Sequence, residues 1–301
     1  MDYKKLIRKR ETRLKLLRLL DFVPDKTMIK LQYRIKTGRK LNLKNPRRFT
    51  EKLQWYKLYY RTPLMKQCAD KYEVRKYVQS KGLRETLNDL FGVYESFEDI
   101  DFRKLPDQFV FKATNGAGGL NVLFCKDKSK FQVEENRKLL EQWQQSKSYK
   151  SGGREWCYYQ AKPRIIAERL LVNEQNPVAG IADYKFFCFN GVPLYVVVDV
   201  DRFIGHKRNF YDIHWNQIQV SSDCPNFAVP LPKPKGLDDM ISVATDLSDE
   251  FPFVRVDLYY VSGRVYFGEL TFYPWSGYVD FKPDEFDYRL GEAFFLLKER
   301  R

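Results

Sequence analysis

Arg255, Asp257 and Tyr259 alternate along the apolar run FVRVDLYYV, and Glu269 follows in RVYFGELTF beyond a turn at Val261-Ser262-Gly263. Side chains alternate across a strand, so the first three share a face. Glu269 joins them if the turn holds an odd number of residues, as with three and a left-handed Gly263. In that register Arg255 faces Glu269, with Asp257 as the diagonal neighbour. Two carboxylates beside a guanidinium suit Mg²⁺, which takes one or two carboxylates together with phosphate oxygens. The competing reading is a cross-strand ion pair on a wet face. The apolar neighbours Phe267, Leu270 and Phe272 weigh against it.

The stretch FVFKATNGAGGLNVLFCKD (109–127) could supply the phosphate side. It is not a Walker A loop, since no Gly-Lys-Ser/Thr follows. It is not a dinucleotide fingerprint, since the later glycine is absent and a strand pattern comes next. Strand, glycine loop, strand reads either as a hairpin or as an anion-binding nest. The run Gly116, Ala117, Gly118, Gly119 is longer and richer in glycine than a two-residue turn requires. Its N–H groups could cradle an anion, with Lys112 on the preceding strand in reach of the same charge.

Such groups need strands in register and a buried core to hold them. The 301 residues allow one large domain or two to three small ones, and 44% hydrophobic and 16% aromatic content marks a globular chain. No apolar run is long enough to span a membrane. The start of the chain is charged but lacks a leader's apolar core, which predicts a cytoplasmic protein beginning at Met1. Five cysteines without a CxxC pair predict reduced thiols and no zinc site. With only His206 and His214, a histidine metal cage or Ser-His-Asp centre has little to stand on.

Charge is unevenly placed. Residues 1–61 hold 20 Lys and Arg against 5 Asp and Glu, while the remaining 33 and 34 nearly cancel. Residues 3–20 read as a basic amphipathic helix, either docked on the body or facing an anionic membrane or glycan. No nucleic-acid motif accompanies it. Thr50 is expected to cap a helix whose Trp55, Leu58 and Tyr59 share a face. PLMKQCADKYEVRKYVQSKGL reads as one further helix ended by Gly82. Region 84–110 is mixed, and strands start at 109. A helix over about 129–147, a strand RIIAERLL, a hairpin at Asn190-Gly191, a helix in GLDDMISVATDLSDEF and the final hairpin follow. Four regions result: a basic helical one (1–61), a helical and mixed one (62–108), the glycine-loop lobe (109–170) and the metal-hairpin lobe (171–301).

With IIAERLL, DYKFFCFNG, DRFIGHKRNFYD and FPFVRVDLYYVSGRVYFGELTFYP, Lys112 and NGAGG resemble the ATP-grasp superfamily. FTEKLQWYKLYYR and ADKYEVRKYV make the sequence more similar to its teichuronopeptide-biosynthesis (TupA-like) branch, found among bacterial surface-polysaccharide enzymes. The resemblance covers about residues 45–295.

It implies an α+β fold whose two lobes clamp ATP and Mg²⁺. It places Lys71, Lys112 and the glycine loop at the phosphates, with Lys185 also in the nucleotide site. Glu168, Arg169, Leu170 and Leu171 match the hinge whose backbone reads adenine, and Asp183 matches the acid that holds the ribose. Asp257 and Glu269 match the metal ligands, with Thr271 where many members carry asparagine. The implied reaction joins a carboxylate to an amine through an acyl phosphate, here an amino acid or other amine and a uronic acid of a surface glycan. Arg255, Arg202, Lys207 and Arg208 would supply charge to phosphates or to the acceptor carboxylate, unless the last two lie in a solvated loop. His206 could deprotonate the amine or be incidental, and SGGREWCYYQAKPR could form a lid. Two alternatives stand beside this: a glycosyltransferase using Asp199-Val200-Asp201, and a binding protein without catalysis.

Overall fold

The computed structural model describes residues 12, 17–116, 121–145, 150, 152–160, 162–173, 176, 178, 180–202 and 204–296. Most of the predicted 3–20 helix, and Ala117, Gly118 and Gly119, lie outside the described residues.

The smaller lobe is an antiparallel sheet of four strands, β1 (Leu90–Tyr94), β2 (Phe109–Ala113), β3 (Val122–Cys125) and β4 (Ile165–Arg169), in the order β1-β4-β2-β3. It therefore begins near residue 90, because β1 pairs with β4. Phe109, Phe111, Ala113, Ile165 and Ala167 turn one face onto Leu140 and Trp143 of α5 (Val133–Trp143). Alternation leaves Val110, Lys112, Ile166 and Glu168 on the opposite face. β2 and β3 form a hairpin with Lys112 opposite Val122. β2 and β3 are thus the two arms that the glycine run connects, and at its described end the Gly116 N–H bonds the Ala113 carbonyl.

The larger lobe has six antiparallel strands in the order β10-β9-β5-β6-β7-β8. These are β5 (Asp183–Phe189), β6 (Val192–Val200), β7 (Lys207–Asp212), β8 (Gln217–Ile218), β9 (Phe253–Val261) and β10 (Arg264–Thr271). Phe186, Cys188, Val254, Val256 and Leu258 pack under Met240, Ala244 and Leu247 of α6 (Leu237–Ser248). Each such buried side chain contributes roughly 1.5–3 kcal/mol. The other face carries Asp183, Lys185, Arg255, Asp257 and Asp199. Asn190 and Gly191 both have positive φ, as a two-residue hairpin turn demands.

The helical start is α1 (Asp25–Thr37), α2 (Phe49–Tyr59), α3 (Pro63–Ala69) and α4 (Val74–Ser80), and α7 (Glu285–Ala293) closes the chain against α2. Three expectations are corrected here. Thr50 does not cap α2; it is buried inside the first turn, bonded to Asp287. Glu51 satisfies the Arg47 and Arg48 N–H groups instead. The buried face of α2 is Phe49, Leu53 and Tyr56 with Gln54 and Lys57, and Tyr59 is exposed. The single helix over 63–82 is broken in two, because Asp70 Oδ1 accepts the Tyr72 and Glu73 N–H groups at 2.9 and 3.0 Å.

Candidate active site

The final hairpin places the acids by a different route from the one the alternation argument suggested. Its turn has two residues, Ser262 and Gly263, both with positive φ. Unbroken pairing from that turn would put Glu269 opposite Val256, on the α6 face. A bulge at Gly268 shifts the register by one, so Glu269 faces Asp257 directly and Thr271 faces Arg255. The two carboxylates do share a face, but Arg255 is paired with Thr271 rather than with Glu269.

Around them the charges interlock. Arg255 forks onto Asp257, with Nε to Oδ1 and Nη2 to Oδ2 both at 2.6 Å. Its Nη2 also donates to Thr271 Oγ1 at 3.0 Å, and that hydroxyl donates to Glu269 Oε1 at 2.9 Å. Lys185 Nζ lies 2.9 Å from Asp257 Oδ2 and also bonds Asp183. Arg202 Nη1 is 3.2 Å from Asp183 Oδ2, while Asp183 Oδ1 is buried without a hydrogen-bond partner among the described residues. Lys71 Nζ donates to Glu269 Oε2 at 3.0 Å and to the Gly116 carbonyl at 2.7 Å. It thereby ties the glycine loop to the acids, and its own N–H bonds the Thr114 carbonyl at the end of β2. Burial pushes the Glu269 carboxyl up, but Lys71, Arg255 and Lys185 outweigh it and hold the group well below the usual carboxylate range.

On the small lobe, Lys112 Nζ donates to Glu168 Oε2 at 2.7 Å. Glu168 also accepts from Arg75 at 3.1 Å, a partner the sequence reading missed because α4 is distant in sequence. Arg169 is engaged within the protein: its N–H bonds the Asp89 carbonyl and its C=O accepts from Asn88. Leu170 and Leu171 are half-buried just past β4. Asp183 joins the Lys185 network, across the sheet from Asp199.

Other expected residues stand elsewhere. Arg208 is a buried β7 residue, neither in a solvated loop nor presented to a ligand. It forks onto Asp199 at 2.6 and 3.1 Å, reaches Asp223, and lies over the Trp275 ring. Arg208, Lys185 and His206 together overcome the burial of Asp199 and hold its carboxyl well below the ordinary range. That leaves Asp199 as an internal counter-ion rather than a ligand for a sugar nucleotide. His206 Nε2 is 3.2 Å from Asp199 Oδ1, and Lys207 is exposed at the start of β7. The segment read as a lid is a latch: fully buried Arg154 bonds the Leu20 and Val23 carbonyls and Asp25, each at 3.0 Å. Lys57 Nζ holds the Gly153 carbonyl and Ser276. Tyr158 of that segment reaches the site's edge, accepting the Phe272 N–H at 3.2 Å.

Two α+β lobes, a lysine-bearing strand beside a glycine loop, and a carboxylate pair on the facing sheet define the ATP-grasp class, for which ATP and Mg²⁺ dependence is typical. The chain belongs to the TupA-like ATP-grasp family, whose profile matches residues 51–295. A comparison with curated proteins finds no match. Among solved structures, the chain is similar to D-alanine–D-alanine ligase from Bacillus anthracis (17% identity, 68% of this chain and 56% of that one, TM-score 0.42). It is also similar to phosphoribosylamine–glycine ligase from Thermotoga maritima (16%, 69% and 48%, 0.41) and to D-alanine–D-alanine ligase from Helicobacter pylori (12%, 75% and 58%, 0.42). The chain spans about half the length of the solved structures it matches.

Proposed function

We propose that this protein is an ATP- and Mg²⁺-dependent carboxylate–amine ligase that attaches an amino acid or related amine to a uronic acid of a surface polysaccharide or its precursor. The observation that carries this is the Lys71–Glu269–Thr271–Arg255–Asp257–Lys185 chain of contacts, joined through Gly116 to the loop that follows Lys112. The glycan assignment is supported by the resemblance to the teichuronopeptide branch. The basic N-terminal region fits an anionic polymer or membrane nearby.

Among the described residues no group of three His, Cys, Asp or Glu side chains forms a metal cage. Asp257 and Glu269 supply the two carboxylates that a Mg²⁺–nucleotide site takes, with Thr271 Oγ1 between Arg255 and Glu269. The donor set fits. Bound there, Mg²⁺ supplies charge neutralisation on phosphate oxygens. Lys71, Lys112 and Lys185 are held by Glu269, Glu168 and Asp257, so each cation can trade an acid for a phosphate oxygen without facing a bare interior. In the reaction, an acceptor carboxylate oxygen attacks the γ-phosphorus and ADP leaves. The amine then displaces phosphate from the acyl phosphate and gives up a proton as the amide forms. The side chains contribute orientation and a preorganised positive field.

The test is an ADP-release screen of amino acids against uronic-acid glycans, with mass detection of the condensed product. ADP release that needs both substrates, and is lost in a folded Glu269→Gln variant, is expected. An active Glu269→Gln enzyme would remove the metal assignment. Transfer from a sugar nucleotide without ADP release would replace the ligase with the glycosyltransferase.

A further inference from the structure

The outer half of α1 divides into two rows at helical spacing. Lys26, Lys30 and Arg34 form one; Thr27, Leu31 and Ile35 form the other. Leu31 and Ile35 are 49% and 46% exposed, and Phe22, just before the helix, is 80% exposed. Five of the fifteen large apolar side chains exposed among the described residues fall between 19 and 35. Leu31 and Ile35 lie one turn apart on a single stripe, and Leu19, Leu20 and Phe22 add exposed apolar side chains in the segment that leads into the helix. Ten Lys and Arg stand against two Asp between residues 18 and 48.

The inner face is fixed to the body. Met28, Ile29, Gln32 and Tyr33 are buried, and Gln32 bonds the Gly152 carbonyl at 2.9 Å and the Tyr278 hydroxyl at 2.8 Å. The helix therefore presents its outer face rigidly.

We propose that this face docks on an anionic lipid bilayer, with Phe22, Leu31 and Ile35 entering the headgroup–acyl boundary and the basic row pairing with lipid phosphates and carboxylates. Charge complementarity selects an anionic partner. The apolar row selects a bilayer over a soluble polyanion, because a polysaccharide offers no acyl phase to receive it. The inference stands apart from the ligase reading, since none of these residues touches the acid cluster.

The experiment is co-sedimentation of the full chain with phosphatidylcholine vesicles, with and without phosphatidylserine, beside dextran sulfate as a soluble polyanion that carries no uronic acid. Binding to anionic vesicles only, weakened by salt, is expected. The triple variant Phe22→Ser, Leu31→Ser, Ile35→Ser should lose vesicle binding while keeping its melting temperature and ADP release. Lys26→Gln, Lys30→Gln and Arg34→Gln together should weaken binding by roughly fivefold per charge. Absence of vesicle binding, unchanged binding by the serine variant, or dextran sulfate binding that survives the serine changes would each overturn the proposal. The last would identify a polymer site instead.

Discussion

Gly268 is the residue on which the acid pair depends, and Gly268→Ala measures that dependence. A Cβ there would stand 2.8 Å from the Asp257 carbonyl oxygen and 3.0 Å from Tyr259 Cε2. Ordinary contact begins near 3.4 Å, so relief of the first clash takes about 0.6 Å. The Tyr259 ring can turn aside, but the Asp257 carbonyl belongs to the ladder and must carry its strand with it. Overpacking of this kind costs roughly 1–3 kcal/mol, or about 2–4 °C of melting temperature per kcal/mol in a chain of this size. The larger effect falls on chemistry, since Glu269 follows immediately. A displacement approaching 1 Å can cost about a hundredfold in rate, so ADP release should fall roughly ten- to a hundredfold. Gly263→Asn is the matched control: its Cβ meets nothing within 4 Å, and asparagine tolerates the positive φ. Gly268→Ala with the wild-type melting temperature and turnover would refute the claim that the bulge sets the site.

Lys112→Ala should raise the apparent Kd for ATP by roughly ten- to a hundredfold, the worth of a charge-assisted contact; equilibrium nucleotide binding reads it directly. Asp199→Asn leaves Arg208 buried without its forked partner and should cost about 3–5 kcal/mol in chemical denaturation, with ADP release per folded molecule retained. Glu269 and Asp199 are held low in the folded state, so their stabilisation is present above the ordinary carboxylate range and is lost as pH falls below it. Denaturation midpoints should therefore drop on acidification below that range. Lys57 gives a slope of the same sign in a higher window: burial pushes its ammonium down to about 7 from 10.5, so the folded state binds fewer protons than the unfolded chain between those values. The stability difference between wild type and Lys57→Met should rise with pH across that window, and a flat difference would show that Lys57 keeps an ordinary pKa.

Much of the site could be read from alternation and residue type. Lys112 ends up on the face opposite the Phe109 and Phe111 core because strands alternate, and Asp257 shares a face with Arg255 for the same reason. The bulge was not legible, since an isolated glycine in a strand signals a bulge only weakly and its effect on register depends on the turn length. The face of α2 was misjudged because polar Gln54 and Lys57 are the buried ones, their donors spent on carbonyls contributed by residues 153, 276 and 277. The same holds for Arg208, whose basic, loop-like surroundings in sequence conceal a strand position facing Asp199. Long-range polar pairing overrides local pattern in each case.

Arg154 has no surface of its own to show to water, and the two carbonyls it grips belong to Leu20 and Val23, in the turn that leads into α1. A protease cut or a later start that removed the residues up to 25 would strand a full positive charge in the interior. The neighbouring Gly153 carbonyl shares Lys57 with Ser276, five residues past Thr271, so slack in the turn before α1 would pass through Lys57 to the segment that follows β10. That turn is a splint, and shortening the protein there would loosen the interior around Arg154 first.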